Sequence, residues 1–413
     1  MNKKIDERLP REVGEGALPN HAAIKSPWEK LVSYHDAVHY CQRYSGVVGS
    51  AIMGAYRILL PDYEERTEIL CQNAYARLDY INKMMDGGVC EGMMTELNIH
   101  PFMCGAFTGG LTGDSGDEKL LMCGRVNDFG TYRVEKELDV CYWDIIGSEL
   151  CRSTTQSLQA CADNFAAHRH GGPTMEYHMV EAKGCGDRHC RIVAESREKY
   201  PMPPHKMWEC MGPVATADQI KYTKEEDTVA ESMMFREECD YQFVGGTTEV
   251  CDWNSAYPMV AQSNGASYIL PALDQIVAMG KVEASFVDHV LNCVAEAAGK
   301  AAFGEFYAKE GFRQWVGAPH DVDDGRLMGA HLEMFLQANR VSYEVEAFNK
   351  EEAIYKIDAK ALANNLNRQN LVYVAFWRGM TRSLVNAQWS LWEEDSTEET
   401  LRLKIAKKVD KFC

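Results

Sequence analysis

Cys185 and Cys190 flank the run Gly186-Asp187-Arg188-His189. Glycine takes positive φ at no steric cost and aspartate bonds its own backbone, so Gly184, Gly186 and Asp187 predict a tight turn. The stretches 176–181 and 191–194 alternate enough to predict a strand on each side. Such a hairpin holds Cys185 and Cys190 together at its tip, the proximity that a soft metal ion or a reactive thiolate needs. Three more cysteines, Cys141, Cys151 and Cys161, stand upstream in the same stretch, with the acids Asp163 and Glu181.

Two chemistries suit these groups. In the first, several thiols and a carboxylate close a tetrahedral metal shell. A shell of several thiolates is usually structural, whereas a catalytic zinc keeps one position for water. In the second, one cysteine attacks an electrophilic C=N or carbonyl carbon, and Asp163 or a histidine activates it. The plain alternative is a cluster of cysteines buried as small hydrophobes. His168 and His170 follow the Asp163 helix in a Gly-rich turn, free to swing toward it, while His178 and His189 lie on or near the hairpin. Each is a candidate proton carrier or fourth ligand. His35 and His39 sit four apart on a predicted helix, without a carboxylate or cysteine at the matching offset. They read as half-buried polar residues.

The chain has 413 residues, more than one ordinary core requires, so two domains are expected. A hydrophobic content of 46% and a charged content of 25% are those of a globular protein in water. The formal net charge of −18, with no basic stripe, argues against nucleic acid and anionic membrane surfaces as partners. No stretch reaches the roughly 20 apolar residues of a membrane span, and the N-terminus lacks the apolar core of a signal peptide. Fifteen cysteines without such a signal predict reduced thiols in the cytoplasm.

Residues 1–26 are polar and punctuated by Pro and Gly, and predict a flexible arm. Residues 27–204 then form a Cys-rich domain. Its helical start, Trp28 to Met85, is followed by a Gly-rich loop from Thr108 to Gly116 that lacks the Gly-Lys-Ser/Thr of a nucleotide cradle. That loop, with His100, reads as a lid. Strands at 120–126 and 130–138, a helix at 145–165 and the Cys hairpin close the domain. The prolines near Pro204 mark the boundary to a second domain, 205–413. There helices are expected at 269–279, 282–309 and 326–339, strands at 342–347 and 353–358, and helices from Asn370 to Glu394 and onward to Cys413. The order strand, turn, strand, helix repeats that of the first half, which reads as a diverged internal duplication. In the copy Ile354 or Ala353 stands where Cys141 does, and no Cys-bearing hairpin follows. The second half would supply pocket walls or the surface of a homodimer.

These residues carry a resemblance. Cys141-Tyr142, then Cys161-Ala162-Asp163 after a helix, then Gly186-Asp187 with Cys190, resemble the four-vinyl-reductase-type small-molecule-binding fold. Within it they are most similar to the branch named for L-2-amino-thiazoline-4-carboxylic acid hydrolase. The resemblance covers residues 120–195. It implies an α+β fold with a helix-covered antiparallel sheet, and either metal-bound or nucleophilic thiols near a pocket for a small-molecule substrate or ligand. With the internal repeat above, two related helix-covered antiparallel-sheet domains are expected, the second diverged. The four-vinyl-reductase-type sensors hold zinc with Cys, Glu, Cys and Cys, which implies Cys161 (or Cys151), Glu181, Cys185 and Cys190 here, with zinc or iron as the metal. The hydrolase branch implies a metal- or thiol-dependent hydrolase, or a related lyase or isomerase, acting on a small cyclic organic substrate. With the proton carriers named above, the candidate catalytic residues are Cys141, Asp163, His168, His170 and His189. The alternatives are a ligand-binding protein without turnover and a subunit of a larger anaerobic enzyme complex.

Overall fold

The computed structural model describes residues 2–3, 23–84, 125–129, 133–138, 143–165, 176–195, 266–339 and 341–408. The elements in chain order are β1 (Asn2–Lys3), β2 (Ala23–Lys25), β3 (Leu31–Ser33), α1 (Tyr34–Leu59), α2 (Tyr63–Met84), β4 (Arg125–Phe129) and β5 (Arg133–Leu138). A short 3-10 turn, Asp144–Ile146, leads into α3 (Ser148–Phe165), which is followed by β6 (Glu176–Glu181), a second 3-10 turn at Lys183–Cys185 and β7 (Cys190–Glu195). Then come α4 (Ala266–Ala278), α5 (Ala284–Ala301), a π-helical turn at Ala302–Phe306, α6 (Lys309–Val316) and α7 (Arg326–Ala338). The chain continues through β8 (Tyr343–Phe348), β9 (Glu352–Asp358), α8 (Ala359–Ala363), α9 (Gln369–Leu384), β10 (Trp389–Glu393) and β11 (Thr400–Lys407). The fold is α+β, and every strand pair is antiparallel.

The chain divides into two compact units, Asp62–Tyr268 and Met1–Pro61 with Ile269–Cys413. In the first, the sheet order is β4-β5-β7-β6. Its helices α2 and α3 run parallel and are pinned at two heights. Near their starts the buried Arg66 Nη2 lies 2.9 Å from Glu149 Oε1, and farther along the Tyr75 hydroxyl donates to Asp163 Oδ2 at 2.9 Å. A hydrogen-bonded buried ion pair of this kind is costly to break from one side, because the partner is left charged and unpaired.

In the second unit the order is β1-β8-β9-β11-β10. Leu401, Leu403 and Ile405 of β11 are buried, while Arg402 and Lys404 point to the other face. There Arg402 meets Glu346 at 2.8 Å and Glu394 at 2.7 Å, and Lys404 meets Glu352 at 3.1 Å. Period-2 alternation puts one face on the core and one in water. The apolar face is covered by helices, among them α7, which is buried along its whole length. Glu333 of α7 accepts hydrogen bonds from the hydroxyls of Tyr343 at 3.0 Å and Tyr355 at 3.2 Å.

The two sheets share a connectivity of two strands, a helical connection (α3 in the first, α8 and α9 in the second) and two more strands, in the spatial order first, second, fourth, third. Each first strand bulges against the second, at Val126/Asp128 and at Val345/Ala347.

Four expectations change. Thr400–Lys407 is a strand where a charged helix was expected, since alternating Leu401, Leu403 and Ile405 fit a half-buried strand and no helical stripe. Trp389–Glu393 is likewise a strand, so the expected helix from Asn370 ends at Leu384. The expected helix 282–309 breaks at Phe303 and Gly304, the latter at φ 122, and continues as a separate helix from Lys309. Two pieces of the expected flexible arm are strands, β1 on the edge of β8 and β2 against β3. The proposed boundary near Pro204 lies outside the described residues, as do His100 and the loop 108–116. Among the described residues no helix is long and apolar enough to cross a membrane.

His331 of α7 is fully buried, and burial pulls its imidazole down to about 3. Between that value and the ordinary 6.5 of an unfolded chain, the unfolded state binds a proton that the folded state does not, so stability falls as pH drops through this window. At pH 5 the loss is about 2 kcal/mol relative to pH 7. Urea midpoints at the two pH values should converge by that amount in His331→Gln, which has nothing to titrate there. An unchanged pH dependence would assign the effect to other groups.

Candidate thiol site

β6 and β7 pair as a hairpin, with Glu181 opposite Arg191. Between them the chain makes one 3-10 turn. The amides of Cys185 and Asp187 both bond Ala182 O, at 2.9 and 3.2 Å, and Asp187 Oδ2 accepts the Ala182 N–H at 2.8 Å. Gly186, at φ 98, takes the left-handed position that ends the turn. The hairpin therefore has the residues the sequence predicts, and its tip carries Cys185 exposed and Cys190 buried.

The third thiol comes from the first turn of α3. Cys151 is buried, and its Sγ lies 2.5 Å from the point where a Gly184 Cβ would stand. Gly184 is thus needed for close approach: the turn rests on Gly147 and Cys151 with no room for a side chain. Cys151 and Cys185 interact through their side chains, both feel Cys190 electrostatically, and the Lys183 N–H points at Cys190 Sγ at 3.4 Å. All three are free thiols. Gly184→Ala should push the Cys151 sulfur away and cost about 1–3 kcal/mol, the usual range for overpacking. A thermal melt of that variant matching wild type would mean that the turn is not packed on Cys151.

Burial pushes the Cys151 thiol up to about 12, with the Cys190 and Cys185 thiols adding to the rise. Burial also raises Cys185, followed by Asp187 and Cys190. An activated nucleophile needs the opposite shift, toward thiolate at neutral pH. A bound cation would reverse it, since a coordinating thiol is deprotonated outright. Among the described residues no group of three or more His, Cys, Asp and Glu side chains stands ready-made at metal-ligating spacing. The chemistry of the donors nevertheless fits a soft divalent ion: three sulfurs drawn from one helix end and both sides of one turn.

Beside the thiols, Glu181 is held by two partners. Its Oε2 lies 2.8 Å from His189 Nε2 and accepts from Arg191 Nε at 3.0 Å. His178 lies 3.6 Å from Glu176. Of the expected metal set, the structure brings Cys185 and Cys190 together and keeps Glu181 on the hairpin. Cys151 meets them, and Cys161 stands ten residues further along α3, about 15 Å away along the axis. Asp163 is further still, and its carboxylate is taken by Tyr75 and by Gln159 Nε2 at 2.8 Å. Cys141, His168 and His170 lie outside the described residues. The signals for Cys151 were its place four residues past Gly147 and the missing side chain at Gly184.

No family model matches this chain. No curated protein and no solved structure matches it either.

Proposed function

We propose that this chain is a metal–thiolate protein that takes a small organic molecule, built from two diverged copies of one four-vinyl-reductase-type domain. The observation that carries the reading is the mutual interaction of Cys151, Cys185 and Cys190 at the hairpin tip, where Cys151 packs against Gly184. These three would hold zinc or iron, and the fourth position would be left for water, substrate or another side chain. The metal would supply Lewis acidity and keep the sulfurs deprotonated. Shared sheet order and shared bulges support the duplication. Val126 and Phe129 of β4 match Val345 and Phe348 of β8 in register, and the pair Glu181–Arg191 matches Glu394–Arg402. In that register Leu401, opposite Ile357, stands where Cys190 stands opposite Leu138. The second copy has thus exchanged its sulfur for a core residue.

The pair His189–Glu181 favours turnover, by hydrolysis of a small cyclic substrate, over binding alone. A carboxylate orients the imidazole one residue from Cys190, as a proton carrier needs. Elemental analysis should find one zinc or iron per chain, absent from the Cys185→Ser/Cys190→Ser double variant. Stoichiometric metal in that variant would overturn the centre. On a panel of cyclic amides, amidines and thiazolines, His189→Gln should keep the metal and lose at least ~100-fold in turnover. Metal-loaded wild type that binds a panel member without converting it would leave the ligand-binding form of the reading.

A further inference from the structure

The second unit holds a cluster of aromatic rings that the thiol centre does not use. Tyr40 and Tyr44 of α1 lie one helical turn apart, against His331 and Phe335 of α7. Tyr40 also packs on Tyr307, Phe312 and Trp315, at ring distances of 5.1, 5.8 and 5.0 Å. Tyr40, Tyr307 and Trp315 are half-buried, so the cluster has one side toward solvent, while Tyr44 and His331 at its floor are fully buried. The Tyr40 hydroxyl meets His331 Nδ1 at 2.8 Å. The other ring nitrogen, His331 Nε2, and the Tyr44 hydroxyl have no hydrogen-bond partner among the described residues. Their rings are only 5.2 Å apart.

Buried polar atoms are nearly always satisfied, and leaving two unpaired side by side is costly. The chain beside them leaves its helix at Phe303 and Gly304, where the dihedrals are no longer helical. Among the described residues the charged neighbours are engaged elsewhere: Glu333 on α7 by the Tyr343 and Tyr355 hydroxyls, and Arg313 on α6 by the carbonyls of Pro319, His320 and Val322. An ionised ligand would be buried there without a counter-charge, which excludes it. Rings stacked edge and tilted around two polar atoms are the usual lining of a site for a small flat molecule.

We propose that the second unit carries its own ligand site, in which a neutral aromatic or heteroaromatic molecule enters between Tyr40, Tyr307 and Trp315 and hydrogen-bonds His331 Nε2 and the Tyr44 hydroxyl. This site is independent of the thiol centre and stands or falls without it. The probes are phenol and benzimidazole, with benzoate as the charged control, titrated calorimetrically into the full chain. Wild type should bind one equivalent of a neutral probe and ignore benzoate. Tyr44→Phe removes a single oxygen and should weaken binding at least ~10-fold, as should His331→Phe, with the fold retained by circular dichroism. Should His331→Phe fail to fold, Trp315→Leu at the rim serves in its place and should weaken binding similarly. Metal removal should leave the affinity unchanged. Failure of folded wild type to bind either neutral probe, or equal affinity in Tyr44→Phe, would overturn the site.

Discussion

Gly379→Leu should prevent the second unit from folding, and Gly379→Ala should lower its stability by about 3 kcal/mol, the top of the range for overpacking. α5 and α9 cross in backbone contact. A Cβ on Gly379 would stand 2.0 Å from Glu296 O, and one on Gly299 would stand 2.0 Å from Phe376 O. Each glycine thus accommodates the other helix's main chain, and no rotamer choice relieves the clash. The helices would have to separate by more than an ångström. Ser383 Oγ donates to Gly299 O at 2.9 Å beside the crossing, and Arg368 ties α9 to Asp274 and Asp288 at its start, so separation breaks polar contacts along the interface. It would also open the core around the fully buried Phe376, Trp377 and Met380. Alanine regains about 1 kcal/mol of helix propensity, far less than the clash costs. Gly311→Ala is the control: its Cβ would meet only Ala308 Cβ at 3.7 Å, so it should be neutral or slightly stabilising. Urea midpoints by circular dichroism decide the matter. Equal midpoints for Gly379→Ala and Gly311→Ala would mean that the helices do not touch there.

That crossing was hidden in the sequence because a glycine inside a helix gives no sign of what approaches it. Other elements were legible. The hairpin of β6 and β7 follows from Gly186, Asp187 and the flanking alternation, and β8 and β9 follow from the run Tyr343 to Asp358. The helix at Arg326–Ala338 follows from its length, but its wholly buried surroundings leave no polar face to read, so His331 and Glu333 gave no warning of their partners. β10 and β11 suit a helix by their Trp, Arg and Lys content; the alternation of Leu401, Leu403 and Ile405, with β11 paired to β9 on one side and β10 on the other, decides for strand. At the thiol site local chemistry was legible and long-range choice was not. Cys151 and Cys161 are ten residues apart on one helix, and only the packing of Gly184 on the helix start selects between them.

The metal content of two single variants tests that selection. Cys151→Ser should purify with less than about a tenth of the wild-type metal, and Cys161→Ser with all of it. Serine offers a harder, more basic oxygen in place of a polarizable sulfur, so the soft ion loses a principal ligand. At Cys151 the loss also reaches the fold. The sulfur is buried, and metal-binding energy in such a site is folding energy, so the apo form should melt lower and a chelator should lower wild type to the same point. The same chelator should leave Cys151→Ser unmoved, because the ion is already gone. At Cys161 neither change is expected, since about 15 Å of helix separates it from the hairpin tip. Metal retained in Cys151→Ser and lost in Cys161→Ser would return the fourth-vertex problem to the far end of α3, beside Asp163. The convergence beneath Gly184 would then be packing alone. Because the two substitutions are chemically identical and lie on one helix, the difference between them isolates position from chemistry.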